Sequence, residues 1–336
     1  MPEQNGAPSH GLALDRYDTV QNLTRGVVEA IQALWNSVPP DRILSALSGE
    51  VGTAILNAVI AGQLSVVQGA QAFVSGAMLA QGAATTILGS LVPAAFAAMA
   101  PDGRDLATLL YLPAMTTATA LAQGVSAEAA AASGLFQMAR IVSTVLADTS
   151  RMATQVAMTA TPSCVMYVRV VRLPACSRCI ILAGRNYSYS TGFKRHPGCD
   201  CGMEPVRSDA EWNAVARTPK ELFEAMSPEE RAKRFGAAGA EAIENGADLN
   251  QIVNARRKGA METVTLHGKQ VQVTREGTTR RGLGAKALDA GFSKHLSTTR
   301  YQRSNTRRLM PEEILRLADD REHQVRLLKK HGYILD

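Results

Sequence analysis

The residues best able to do chemistry in this chain lie in one short stretch. Cys176-Ser-Arg-Cys179 is followed by His196-Pro-Gly-Cys199-Asp-Cys201, so four of the five cysteines and one of the six histidines fall within 26 residues. Cys-x2-Cys and His-x2-Cys each place two soft donors on one tight loop, the arrangement a tetrahedral zinc ion takes. Five candidates compete for four positions. In an extended segment Cys199 and Cys201 point to the same face, and if that face meets the metal His196 is spare. If His196-Pro-Gly-Cys199 turns as Cys176-Ser-Arg-Cys179 does, Cys201 is spare. Pro-Gly is strong turn chemistry, which favours Cys176, Cys179, His196 and Cys199, with Cys201 as the alternate ligand. A site closed by four protein ligands is structural, whereas a catalytic zinc keeps a position for water. Glu204 follows the last cysteine by three residues, and a single carboxylate there is weak evidence for a general base. A zinc-dependent nuclease or transferase is therefore the alternative, and a structural zinc the expectation. A disulfide cluster is the other competitor and needs an oxidising compartment. The first residues, Met1-Pro-Glu-Gln-Asn-Gly, lack the basic start and apolar core of a secretion signal, so reduced thiols are expected.

The elements that must position these ligands are read from composition. Of the 336 residues, 46% are hydrophobic but only 5% aromatic, which favours closely packed helices over a large β-sandwich. The expected class is mainly α with a small zinc-stabilised β-rich module. Three regions follow: an Ala-rich helical domain over 1–160, the β module over 161–210, and a basic, mostly helical region over 211–336. In the β module Val165–Leu173 reads as a strand, Met203–Val206 as its partner, and Gly184–Gly192 as a hairpin or loop. Pro39-Pro40, Pro93, Pro101-Asp-Gly103 and Pro113 are expected to break helices. Thr218-Pro219-Lys-Glu221 and Ser227-Pro228-Glu-Glu230 read as capped helix starts. One last helix is expected from Pro311 to about His331, stopped by Gly332.

Charge divides the chain. Residues 1–160 carry 6 Lys/Arg and 10 Asp/Glu, and residues 161–336 carry 30 and 20, so the net +6 belongs wholly to the second half. No charged residue lies between Val51 and Pro101. A membrane span needs ~20 predominantly apolar residues, and here Asn57, Gln63, Gln68, Gln71 and Gln81 interrupt each window. Buried helices, also able to form a homo-oligomer, are expected over membrane insertion. Between Arg275 and Arg308 nine Lys/Arg face two acidic residues. Arg280, Arg281, Arg300, Arg303, Arg307 and Arg308 are candidate contacts to the phosphates of double-stranded DNA, of the kind that reads no sequence. The competing reading is a solvated basic surface. Nucleotide-binding, hydrolase and His-Glu-x2-His signatures are absent, so no enzyme activity is expected.

Cys176-x2-Cys179, Leu182-Ala-Gly184 and His196-Pro-x-Cys199-x-Cys201 together resemble the signature of Mu F-like phage minor head proteins, with Asp200 where that signature commonly has arginine. Asn245–Arg257 and Arg275–Gly282 resemble the actinobacterial-phage branch. The resemblance is specific over roughly residues 160–285. It implies a minor capsid protein acting in phage head morphogenesis, located in the virion at the portal vertex and head interior, and in the host cytoplasm during assembly. Its implied partners are the portal protein, the major capsid or scaffolding protein and packaged double-stranded DNA. Some relatives carry protease or toxin fusions, but no residues here match them. A membrane-active role in DNA ejection is a further alternative, resting on the uncharged helices.

Overall fold

The computed structural model describes residues 7–196, 198–257, 259–266, 268–276 and 303–334. The protein is mainly α-helical with two small antiparallel sheets. Its contacts divide it into two compact units. The first comprises residues 1–172 and 184–216, and the second 173–183 and 217–336.

The first unit is a helical bundle that carries a three-stranded sheet. Helices α1 (Pro8–Asn36), α2 (Ile43–Leu47), α3 (Glu50–Gln68), α4 (Ala70–Ala80), α5 (Leu106–Ala122) and α6 (Ala127–Thr159) surround a core of Ile31, Trp35, Ile55, Val59, Leu106, Met138, Val142 and Leu146. Full burial of such side chains contributes about 1.5–3 kcal/mol each. Asp105 caps α5 by accepting from the Thr108 N–H at 2.7 Å. Ser126 caps α6 through the Ala129 N–H.

The uncharged stretch is not helical throughout. Residues 81–105 are irregular apart from one 3-10 turn at Pro93–Phe96. The glutamines of the apolar helices hold this segment in place. Gln63, fully buried, donates to the Met99 carbonyl at 2.8 Å and accepts from the Ala98 N–H at 3.0 Å. Gln71 donates to the Gly89 carbonyl and accepts from the Leu91 N–H. The buried side chain of Gln63 needs such partners itself, because an unpaired buried polar group costs about 1–3 kcal/mol. Two stretches, Glu50–Ala80 and Ala127–Thr159, are long and apolar enough to cross a membrane by length and composition alone.

Pro113 was expected to end a helix, yet it lies inside α5. Burial of Leu109, Leu110 and Ala114 on the same face outweighs the lost backbone bond. Gly134 of α6 sits opposite this proline. A Cβ there would lie 2.1 Å from Thr117 Oγ1, 2.7 Å from Trp35 Cζ2 and 2.9 Å from the Pro113 carbonyl oxygen.

The sheet of this unit matches the pairing read from the sequence. Strand β1 (Met166–Val170) is central, flanked antiparallel by β2 (Asn186–Ser188) and β3 (Gly202–Val206). Tyr167 pairs with Tyr187 across β1 and β2, their rings stacked at 5.3 Å. Gln81, at the end of α4, donates to the Pro205 carbonyl and accepts from the Arg207 N–H, fixing β3 to the bundle. Helix α8 (Asp209–Val215) closes the unit, with its Val215 packed on Val168 and Val206.

The second unit includes α7 (Ser177–Ile180), α9 (Pro219–Glu224), α10 (Pro228–Phe235), α11 (Ala237–Glu244) and α12 (Leu249–Ala255). Both expected capping boxes are formed, Thr218 with Glu221 and Ser227 with Glu230. A second sheet follows, from β4 (Met261–Leu266), β5 (Lys269–Glu276) and β6 (Arg303–Leu309) in spatial order. This region was expected to be mostly helical. The β4–β5 hairpin forms because Val264 and Val271 pair within alternating sequences, and Gly268 takes a positive φ of 76° at the turn. The expected last helix is two, α13 (Pro311–Leu317) and α14 (Arg321–Lys330). Asp320 makes the division by capping α14 through the His323 N–H at 2.7 Å. Gly332 ends it at φ 67°, as expected.

Replacing Gly134 with alanine forces a methyl group between α5 and α6. Urea unfolding of the full chain is expected to show a loss of about 1–3 kcal/mol, and an unchanged midpoint would disprove this close approach.

Candidate metal centre

The two cysteine turns form as their sequences indicate. Cys179 N–H donates to the Cys176 carbonyl at 2.9 Å and lies 3.4 Å from its Sγ. Cys199 N–H donates to the His196 carbonyl at 3.1 Å, and Gly198 takes φ 75°, a value glycine reaches without strain. Of the five candidates, Cys176 and Cys179 lie in the second unit, and His196, Cys199 and Cys201 in the first. This Cys-rich group could hold a metal ion. Soft sulfur ligands with one imidazole fit a tetrahedral ion of the zinc type.

What surrounds the second turn was not legible as a site in the sequence. Arg169 of β1 is 2% exposed and donates from Nη2 to the Sγ atoms of both Cys199 and Cys201, each at 3.5 Å. Its Nη1 donates to the Lys194 carbonyl, and its guanidinium lies over the Phe193 ring at 4.3 Å. Arg151 of α6 donates to the carbonyl oxygens of Cys201 at 2.9 Å and Cys199 at 3.2 Å. Its other nitrogen pairs with Asp148, one turn back on the same helix, and Asp148 also accepts from Arg195. Burial pushes the Arg151 guanidinium down, and the charges of Cys199 and Cys201 oppose that effect. The alternation of Val168-Arg169-Val170 within a strand was the available signal, since a charged residue there has either to face solvent or to meet a partner.

Three neighbours acquire defined roles. Asp200 accepts from the Tyr17 hydroxyl at 2.5 Å, and burial together with this bond raises the Tyr17 pKa. Glu204 is fully buried and accepts from Ser9 Oγ at 3.1 Å and His10 Nδ1 at 2.7 Å, which ties the start of α1 to β3. A carboxylate so enclosed has no access to a substrate. Cys164 is buried and lies just before β1, outside both cysteine turns.

The candidate phosphate contacts divide. Arg280, Arg281 and Arg300 lie outside the described residues, and for Arg303 the description covers the backbone of β6 only. Arg307 is exposed and paired with Glu262 at 2.5 Å. Arg308 is a correction: at 1% exposure it is a core cation and not a surface one. It donates to Gln251 Oε1 at 3.2 Å, to the His331 carbonyl at 3.3 Å and to the Glu276 carbonyl at 3.1 Å, and lies over the Tyr333 ring. Alternation on β6 turns Arg308 inward where Arg307 faces out.

A family model described as VG15 protein matches residues 93–229, a span that includes α5, α6, the β1–β3 sheet and both cysteine turns. This likeness suggests a phage-encoded protein. No curated protein and no solved structure matches the chain.

The polar core around Arg308 carries opposed titrations. Burial pushes the Glu276 carboxyl up to about 7, against the pull of Arg257 and Arg308. Burial, with Lys330 and Arg308, pushes His331 down to about 4. A raised carboxyl means the folded state holds the extra proton, so its contribution to stability falls as pH rises from 4.5 to 7. For His331 the unfolded state holds the extra proton, and stability rises with pH from 4 to 6.5. The two slopes offset each other in the wild type. Glu276→Gln removes the falling one, so its stability relative to wild type is expected to increase with pH across that window. Denaturant unfolding at several pH values measures this, and parallel curves would show that Glu276 stays ionised in the folded state.

Proposed function

We propose that this chain is a structural minor head protein of a tailed phage, acting in head morphogenesis at the portal vertex and head interior. The observation that carries the proposal is the pair of turns with five metal-ligand side chains, the second turn held by the buried Arg151 and Arg169, within the span that matches the VG15 family model. The metal is zinc, and its role is structural. Cys199 and Cys201 are each 2% exposed, and their sulfurs share one guanidinium, which favours a closed site over one with a water position. The positive charge of Arg169 beside them favours the ligand set with the larger negative charge, Cys176, Cys179, Cys199 and Cys201, with His196 as the alternate. The protein's work is assembly rather than catalysis. Portal protein and the major capsid or scaffolding protein are its partners, and its helices support a homo-oligomer. The excess of 30 Lys/Arg over 20 Asp/Glu in residues 161–336 suits non-specific contact with packaged DNA.

Metal analysis of the purified chain tests the site. Stoichiometric zinc is expected in the wild type and in His196→Ala, and is expected to be lost in Cys176→Ser, Cys199→Ser and Cys201→Ser. Zinc kept in Cys201→Ser but lost in His196→Ala would restore the histidine set, and a wild type without zinc would remove the site altogether. Mass spectrometry of purified virions tests the role: the protein is expected in DNA-filled heads at low copy number, and its absence from virions would refute the assignment.

A further inference from the structure

The cleft between α5 and α6 has features that neither the metal centre nor the proposed assembly role uses. It encloses a cavity of about 450 Å³, a size typical of ligand sites. Its floor is apolar, formed by Leu109 and Leu112 from α5 with Ile141 and Val145 from α6. Along α6, Arg140, Thr144 and Asp148 follow at four-residue spacing and line one wall. They extend over about 12 Å at 1.5 Å per residue. Arg104 and Arg195 complete the rim.

The charges around the cleft are unequal. Arg104 is neutralised by Asp102 at 2.7 Å. Asp148 serves two arginines, Arg195 and Arg151, so one positive charge there is left uncompensated by that carboxylate. Arg140 is exposed, and among the described residues its guanidinium makes no hydrogen bond or ion pair. On an otherwise nearly uncharged helix, a long cation beside an apolar floor is matched by a ligand with an anionic group next to an apolar one.

We infer that this cleft is a docking site for a partner's peptide segment in which an acidic side chain is flanked by aliphatic ones. The aliphatic residues lie on the Leu109–Val145 floor, and the carboxylate meets Arg140, with Gln137 and the Thr144 hydroxyl beside it. A nucleic-acid backbone is the weaker match, because it presents a phosphate at every residue and no aliphatic group for the floor. The site stands independently of zinc and of any role in a phage head.

Panning the full-length protein against a displayed library of random heptapeptides tests this. Enrichment of Asp or Glu beside Leu, Ile or Val is expected, with the selected synthetic peptides binding at least tenfold more weakly to Arg140→Glu. Arg140→Lys, which keeps the charge, should retain most of the affinity. Gln137→Glu, one turn away on the same wall, should reproduce the loss, and unchanged melting temperatures would show that both variants are folded. Selected peptides without an acidic residue, binding unaffected by either glutamate variant, or no enrichment at all would overturn the inference. So would a short DNA duplex that displaces the peptides and is itself lost in Arg140→Glu.

Discussion

The buried guanidinium of Arg151 is the constraint on which the first unit depends. It faces the carbonyl oxygens of Cys199 and Cys201 on one side and Asp148 on the other. A cation removed from water in this way is tolerable only when its donors are met, and removing one partner of such a pair costs about 3–5 kcal/mol. Every group it meets is therefore fixed: the turn that carries Cys199, the segment entering β3, and the register of α6 beneath both. Arg195 joins Asp148 from the same loop, so two arginines sharing one carboxylate lock the turn to the middle of a 33-residue helix. Preorganisation of this kind lets two cysteines two residues apart present their sulfurs together instead of scattering on a mobile loop.

The same helix shows how a nearly uncharged sequence can belong to a folded unit. After its first turn α6 has three charged residues, Arg140, Asp148 and Arg151. Two of them hold the cysteine turn, and Arg140 stands at the cleft. The glutamines of α3 and α4 follow the same logic with neutral groups. Gln63, Gln71 and, just past the end of α4, Gln81 reach backbone outside these helices and so tie the irregular segment 81–105 and β3 to the bundle. The composition that satisfies a membrane test by length and hydropathy carries its polar residues at the points where the fold needs them.

Local chemistry was legible in the sequence, and long-range placement was not. The capping boxes at Thr218 and Ser227, the stop at Gly332 and the turn at Gly198 all follow from residues within a few positions of one another. Pro113 was misread because its local cost is set against contacts that only the bundle supplies. The β4–β5 hairpin was missed because its alternation uses Thr, Gln and Glu with few large apolar residues, which weakens the period-two signal. Arg308 was read by charge density along the chain, whereas its environment is set by which face of β6 meets α14 and the turn at His331. The cysteine turns could be recognised, but the arginines that hold Cys199 and Cys201 lie 30 to 50 residues before them, with no spacing to announce them.

Arg169 bears on the position of the thiols. Its guanidinium donates to two sulfurs at once, and its stacking on Phe193 keeps it from turning away. Sulfurs held by a fixed donor need little further reorganisation to meet a cation. The cation–π contact, the strand that presents Arg169 and the aromatic stack of Tyr167 with Tyr187 beside it form one continuous support. A small sheet with little core of its own gains from metal binding in proportion to how completely its ligands are held beforehand. In this protein that preparation is carried by arginine side chains reaching in from β1 and α6, and not by the length of the strands.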